Sequence, residues 1–499
     1  MAKRSAAFDL TLPSRRHGIA AYRWLHDSLC TEILQGRLRP GTRLPATRDL
    51  ASQYGLARGT IIAAFEQLKS EGYLEGTMGS GTFVSRVLPE ELLHVQQGNS
   101  AAPLRRRIRQ PRLSDYGRRV RLFGGYGDHP IRAFRSNLPA LDLFPAGVWA
   151  RLTSRRLRNI SRAQLMGCGP LGHPPLRQAI AEYLITSRGV RCTAEQVVIV
   201  SGAQEALDLA SRLLLNFGDS VCVEDPGYPG ATLAFQTVGA KIYKAGLDGE
   251  GIDVGELPAR GVRLLYVTPG HQFPLGMTMS LARRLQLLNW ARKSGALIFE
   301  DDYDSEYRYS GRPIPSLQGL DRSGSVLYAG SFSKVLFPAL RLGYLVVPDN
   351  LLAPVGAMKS LTNRHAPMLE QLVLSDFIGE GHFGRHLRRM REVYAERLSI
   401  LMEESRSSLD GLDMSEVQAG LQTVGWLKEG IDAERVAAAA KQRNVQVMPA
   451  KRYGRGKFAR EGLILGFAAI DGKEIRRGCR ELAAVLKRFG TGGGAHLAP

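Results

Sequence analysis

Lys334 has the most distinctive chemical setting in the chain. It follows an apolar run, Val326-Leu327, and a small-residue turn, Ala329-Gly330, with two hydroxyls just before it, Ser331 and Ser333. Arg341 stands seven residues further on. A lysine amine held in a partly dry pocket condenses with an aldehyde to form an imine. Nearby serines and an arginine hold a phosphate, the arginine through paired hydrogen bonds. The set suits an aldehyde cofactor that carries a phosphate, pyridoxal 5′-phosphate first among them. The same residues would also suit a surface lysine after a strand, with Arg341 in a solvated ion pair.

Other stretches add to the first reading. QVVIV (196–200) reads as a buried strand, and Ser201-Gly202-Ala203 then opens a helix. Small residues at a helix start expose backbone N–H groups, which cradle phosphate. SVCVEDPGYPG is a second strand that ends in a turn and delivers Tyr228, a ring able to stack on a flat heterocycle or simply to pack. ALIFEDDYDSEYRY places Asp301 and Tyr303 after an apolar run. An aspartate beside a pyridine nitrogen keeps it protonated, and a tyrosine hydroxyl bonds the phenolic oxygen of such a ring. Glu300, Asp301, Asp302 and Asp304 could instead collect magnesium, but no companion metal motif appears, so no metal is expected. Alternating strands and helices predict an α/β sheet with ligands at the strand C-termini.

At 499 residues the chain exceeds one compact core, and two or three domains are expected. A net charge of +20 points to a polyanionic partner, nucleic acid foremost. Five scattered cysteines without C-x-x-C spacing fit reduced thiols and argue against a zinc site or disulfide framework. No stretch has the apolar length of a membrane span, and the N-terminus lacks a signal-peptide apolar region. A cytoplasmic protein is expected.

The N-terminal end carries its own pattern. Ile19–Gly36 predicts an amphipathic helix, with Leu25, Leu29, Ile33 and Leu34 at helical spacing. A second helix is expected around Thr47–Gln53. A third is expected from about Arg58 to Gly72, burying Ile61, Ile62, Phe65 and Leu68. YLEGTMGSGTFV then gives two short strands joined at Gly79-Ser80-Gly81. Three helices and a glycine-tipped hairpin make a winged helix-turn-helix. Arg58 would read a guanine edge from the start of the third helix. Thr60 and the helix-start amides would meet phosphate, and Arg48 is a second candidate. Residues 87–130 read as a basic, flexible tether with a reach of roughly 35 Å.

Residues 19–85, including LRPGTRLPATRDLASQYGLARGTIIAAFEQLKSEGYLEGTMGSGTFV, resemble the GntR-type DNA-binding domain. The resemblance implies that Arg48, Arg58, Gly59, Thr60 and Gly79 lie at DNA. Ala57 stands where that family often has a hydroxyl. The series S-G-A-Q, E-D-P-G-Y, T-P-G-H-Q-F-P-L-G, E-D-D-Y-D and S-F-S-K, with Arg341, resembles fold-type I class I aminotransferases. Together with the head, the chain resembles the MocR-type subfamily of GntR regulators.

That resemblance implies three parts: a DNA-binding head over 15–86, the tether, and an aminotransferase-like body over 131–490 whose smaller lobe spans about 380–490. Lys334 would hold pyridoxal phosphate covalently. Asp301 would face the pyridine nitrogen, Tyr303 the phenolic oxygen, and Tyr228 would stack on the ring. Gly202, Ala203, Ser331, Ser333 and Arg341 would hold the phosphate. A homodimer, operator DNA, an amine or amino-acid effector and association with the nucleoid are expected by the same resemblance.

The pattern also departs from the family. Aminotransferases place an arginine three residues before the phenylalanine of a strand like LILGFA; here that position is Ile464, which cannot grip a carboxylate. Arg452 or Arg455 would be substitutes. The GABA-responsive branch has an arginine where this chain has Gly230, and relatives often have tyrosine where it has Cys168. The leading expectation is a cofactor-binding transcriptional regulator with weak or no transaminase turnover. The alternatives are a working aminotransferase with a DNA-binding appendage, and a repressor whose body only dimerises.

Overall fold

The computed structural model describes residues 12–13, 18–77, 81–88, 112–121, 130–311, 314–454 and 460–490. The chain divides into two compact units, Met1–Pro111 and Arg112–Pro499.

In the first unit α1 (Ala21–Leu34), α2 (Thr47–Tyr54) and α3 (Arg58–Ser70) precede two antiparallel strands, β1 (Leu74–Thr77) and β2 (Gly81–Val84). Residues 42–44 extend this wing: Leu44 N–H donates to Thr82 O at 2.9 Å and Val84 N–H to Thr42 O at 2.9 Å. Leu25, Leu29 and Ile33 of α1 meet Ile61, Ala64, Phe65 and Leu68 of α3 in a small apolar core. Two sequence expectations fail here. Ile62 is 41% exposed and Leu34 48% exposed. Each is the next residue after a core position, rotated about 100° round the helix and so off the buried face; Ala64 takes the place expected for Ile62.

In the second unit the stretch expected to be a free tether begins differently. Residues 115–119 form a short helix, α4 (Asp115–Arg119). Arg119 donates to Thr237 O at 3.0 Å and lies over the Phe217 ring, while Arg212 donates to the Tyr116 hydroxyl at 2.7 Å. This part of the connection is fastened to the body. The remaining tether residues, 89–111 and 122–129, lie outside the described residues.

The body is built on seven strands: β3 (Val197–Val200), β4 (Ser220–Glu224), β5 (Lys241–Ala245), β6 (Val262–Val267), β7 (Leu297–Asp302), β8 (Val326–Ser331) and β9 (Gly343–Val346). Their order is β3-β9-β8-β7-β6-β4-β5. β9 pairs antiparallel with both neighbours and every other pairing is parallel. Of the six like-directed strands, the inner ones read as near-continuous apolar runs, as strands buried on both faces do, whereas the edge strand β5 (KIYKA) is largely exposed. Their C-termini share one edge, where a sheet of this kind binds ligands. Two helices start beside that edge, α5 (Ala203–Leu214) and α6 (Pro229–Val238).

A smaller lobe follows α7 (His382–Ser408). Its antiparallel sheet runs β10-β11-β13-β12, with β10 (Leu412–Met414), β11 (Gln422–Leu427), β12 (Met448–Pro449) and β13 (Gly462–Gly466). Helices α8 (Ala433–Gln442) and α9 (Gly472–Gly490) complete it. Among the described residues no helix is long and apolar enough to cross a membrane.

Candidate functional site

One cavity of about 560 Å³ opens at the C-terminal edge of the large sheet. All nine residues singled out in the sequence for a phosphate-bearing cofactor line it: Gly202, Ala203, Tyr228, Asp301, Tyr303, Ser331, Ser333, Lys334 and Arg341. Strand ends bring them together. Asp301 pairs with Ala329 in the β7–β8 ladder. Ser331, the last residue of β8, leads into the turn that carries Lys334.

Lys334 is 9% exposed and its Nζ donates to the Asn137 carbonyl oxygen at 2.9 Å. Burial pulls its pKa down to about 8, with Arg341 adding to the fall while Asp304 and Asp301 oppose it. Asp301 is 4% exposed. Its Oδ2 accepts from the Tyr266 hydroxyl at 2.8 Å, and among the described residues its Oδ1 has no partner. Burial raises this carboxyl to about 7, against the Tyr266 hydrogen bond and with help from Asp302 and Asp304. Tyr228 lies offset-parallel to Tyr266 at 6.3 Å and edge-on to Phe273 at 5.7 Å, so an aromatic wall closes one side.

Another part of the lining is polar. Gly202 caps α5 at φ +116, ψ 178, a backbone region essentially restricted to glycine. A Cβ placed there would stand 3.8 Å from Arg341 Nη1 and 3.9 Å from Ser331 Oγ, so the glycine leaves the space between those two groups and the helix start open. Ser331 Oγ accepts the Ser333 N–H at 3.2 Å, and the Ser333 hydroxyl is buried without a partner among the described residues. Glu205 steadies the turn. It accepts the Ser201 N–H at 2.5 Å and the ammonium of fully buried Lys359 at 2.6 Å.

The acidic stretch does not converge as a metal site would. Asp302 turns away to Arg188, at 2.7 Å, and to the Tyr328 hydroxyl, at 2.6 Å. Glu300 accepts the N–H groups of Leu317 and Gln318 at 2.8 and 2.9 Å. Asp304 bonds His271. Among the described residues no group of histidine, cysteine and carboxylate side chains has the arrangement to hold a metal ion.

The departures have structural counterparts. Ile464 is buried in the small lobe with Val424 and Ala450. Arg452 is held by Glu434 at 2.8 Å, and Arg455 lies outside the described residues. Arg341 is the one arginine among the described residues lining the cavity. At Gly230 a Cβ would meet the Tyr228 ring at 2.5 Å, so the ring's seat depends on the missing side chain. Cys168 Sγ lies 3.9 Å from Gln371 Nε2. Six residues of the lining were not singled out; Gln204, Pro338 and Ala339 lie beside residues that were, and the others are Asn137, Tyr266 and Phe273. Phe273 sat inside a quoted motif, and the other two have no local signature.

On the head, Arg48, Arg58 and Gly59 are exposed and Thr60 is half-buried at the start of α3. Arg58 Nε reaches Thr47 Oγ1 at 3.4 Å. Ala57 caps α3 without a side-chain hydrogen bond. Gly79 lies outside the described residues. Arg43, not anticipated, lies across the wing, with its Nε 2.9 Å from a Cβ built on Gly81.

Comparison with known proteins agrees with both units. Residues 142–482 match the family model for aminotransferase class I and II, and residues 21–84 match bacterial regulatory proteins of the gntR family. The probable rhizopine catabolism regulatory protein MocR of Rhizobium meliloti is 40% identical over 96% of each chain. The HTH-type transcriptional regulator TauR of Rhodobacter capsulatus is 32% identical over 91% of this chain and 94% of its own. Among solved structures, LysN, the α-aminoadipate aminotransferase of Thermus thermophilus, covers 72% of this chain and 92% of its own, with a TM-score of 0.65 and 30% identity. The chain belongs to the MocR-type transcriptional regulators of the GntR family, in which a winged helix-turn-helix head is joined to a fold-type I aminotransferase-like body.

Proposed function

We propose that the cavity holds pyridoxal 5′-phosphate on Lys334 and that its occupancy, or its exchange with an amine or amino acid, sets the affinity of the head for an operator. One observation carries the reading. A buried lysine, an unpartnered Asp301 oxygen, an unpartnered Ser333 hydroxyl and the open Gly202 cradle face the same cavity. Buried polar atoms without partners are costly, so this donor and acceptor set fits a bound group with a ring nitrogen at one end and a phosphate at the other. When bound, the cofactor supplies an aldehyde for Lys334 and a ring that withdraws electrons.

The chain's own residues then divide the work. Asp301 Oδ1 would accept a hydrogen bond from the protonated ring nitrogen and so keep the proton there, while Tyr266 keeps the other carboxylate oxygen occupied. Tyr228 covers the ring face and, with Phe273, keeps water out. Ser331, Ser333, Arg341 and the amides at the start of α5 hold the phosphate. Lys334 attacks only as the free amine. Its fraction rises as pH climbs towards about 8 and levels off above it. The rate of colour development on mixing with cofactor is therefore expected to rise about tenfold per pH unit below this point and then flatten. An ordinary lysine would keep rising toward about pH 10.4. Stopped-flow absorbance between pH 6 and 10 checks this, and an unbroken rise contradicts it.

Ile464 in the position of the carboxylate grip, and Arg452 held by Glu434, favour sensing over turnover. The protein would act as a homodimer in the cytoplasm, at the nucleoid when bound to DNA. The test is fluorescence anisotropy on DNA from the region upstream of the protein's own coding sequence, with and without cofactor and a panel of amines. A change in affinity of about 5–150-fold, the usual range for coupled sites, is expected, with no sustained transamination. Equal affinity and an equal footprint in both states overturn the sensing reading, and many turnovers per site favour the aminotransferase reading.

A further inference from the structure

Tyr303, His271 and Asp304 form a buried chain that ends at the cavity. His271 lies in the turn after β6, and Tyr303 and Asp304 follow β7. The His271 and Asp304 side chains are each 1% exposed. His271 Nδ1 lies 2.9 and 3.0 Å from the two Asp304 carboxylate oxygens, and 3.0 Å from the Tyr303 hydroxyl. Asp304 is fixed from the other side, where its Oδ2 accepts the Leu421 N–H at 3.2 Å. Backbone grips the imidazole on two sides. A Cβ on Gly420 would fall 2.0 Å from His271 Cε1, and one on Gly276 would fall 3.1 Å from Nε2.

Hydrogen-bond directions follow from these distances. An ionised carboxylate only accepts, so Nδ1 must carry the hydrogen that faces Asp304. With that hydrogen in place, Nδ1 has no lone pair for Tyr303, whose oxygen can only share the same N–H. The Tyr303 O–H hydrogen must therefore point elsewhere, and Tyr303 lines the cavity. Nε2 is left as a bare, buried lone pair without a partner among the described residues, which costs less than an orphaned N–H.

We propose that His271 and Asp304 are positioning residues that turn the Tyr303 hydroxyl into an obligate donor towards the cavity, where it meets the phenolic oxygen of the cofactor. This rests on the cofactor reading above. The carboxylates acting on Tyr303 through space are Asp304, Asp301, Glu224 and Asp302, with Lys334 also lining the cavity. Among the described residues, Asp304 is the one of these that also reaches the hydroxyl through a shared hydrogen-bond partner.

A donor on the phenolic oxygen makes that oxygen less basic, so the bound cofactor gives up its proton at lower pH. Removing the donor moves the change upwards. In full-length protein loaded with pyridoxal phosphate, Tyr303→Phe is expected to raise the pH midpoint of the visible-absorption change by about one unit or more. His271→Phe should raise it in the same direction, and the double variant should add nothing further. His271→Asn, which keeps an N–H near the place of Nδ1, should stay near wild type.

A wild-type midpoint for His271→Phe overturns the inference, as does a shift that adds to that of Tyr303→Phe. Where His271→Phe fails to fold, nitrogen-15 histidine spectra of the cofactor-free wild type, assigned against His271→Asn, decide the matter. The Nδ1–H tautomer is required, and an Nε2–H tautomer overturns the inference. Absence of any mass adduct on wild-type Lys334 after borohydride reduction would instead remove the cofactor reading itself.

Discussion

Replacing Lys334 with alanine is expected to abolish covalent retention of pyridoxal phosphate. Wild-type protein, loaded with cofactor, reduced with borohydride and digested, should give one modified peptide carrying the adduct at Lys334. Lys334→Ala should give none and should show no visible band. The expectation rests on position rather than on residue type alone. Lys334 is buried, its Nζ is held by Asn137 O at 2.9 Å, and its pKa near 8 leaves a usable fraction of free amine at neutral pH. Most other lysines among the described residues are exposed. Lys359 is fully buried but is paired with Glu205 at 2.6 Å, on the far side of the α5 turn. An adduct that persists on the alanine protein at another lysine would place the chemistry elsewhere. A wild-type protein that takes up no cofactor would leave the nine converging residues without the proposed ligand.

The second large effect is on the head. Arg58→Ala is expected to weaken binding to the specific operator by about 1–3 kcal/mol, or about 5–150-fold, the range for a bidentate contact to guanine. Arg58 is exposed at the first turn of α3, and among the described residues its hydrogen bond is a long 3.4 Å contact to Thr47. Alanine is a good helix former, and the core of the head is built from Leu25, Leu29, Ile33, Ile61, Phe65 and Leu68, none of which Arg58 supports. The fold should therefore survive. Quantitative binding to operator and to random DNA of equal length separates the roles. Loss confined to the operator identifies base reading. Equal loss on both would make Arg58 a phosphate contact, with a correspondingly shallower salt dependence.

The parts of this molecule that were legible in the sequence are those written in contiguous residues. Lys334 with its serines, the Gly202 helix start and the Asp301–Tyr303 pair each combine strand, turn and functional group in a short stretch, and a parallel sheet then gathers strand ends automatically. Tyr266 was not legible because, inside VRLLYV, it reads as one more apolar strand residue. Its hydroxyl meets Asp301 only when β6 and β7 are side by side. Asn137 comes from nearly two hundred residues before Lys334 and contributes a backbone carbonyl, for which no residue type is diagnostic. Ile62 and Leu34 were misplaced because an apolar residue next to a core position looks periodic until the helix rotation is counted. The fastening of 115–119 depends on Phe217, Thr237 and Arg212, partners far along the chain.

The reversed strand β9 has a consequence of its own. Because β8 and β9 are antiparallel neighbours, Lys334 and Arg341 sit on a single excursion pinned at Ser331 and Gly343, which pair with each other. The separation between covalent anchor and cation is thus measured out by one local length of chain, like two marks on a ruler. A shift of the smaller lobe leaves those marks in place, whereas one residue inserted between 335 and 340 would move them apart.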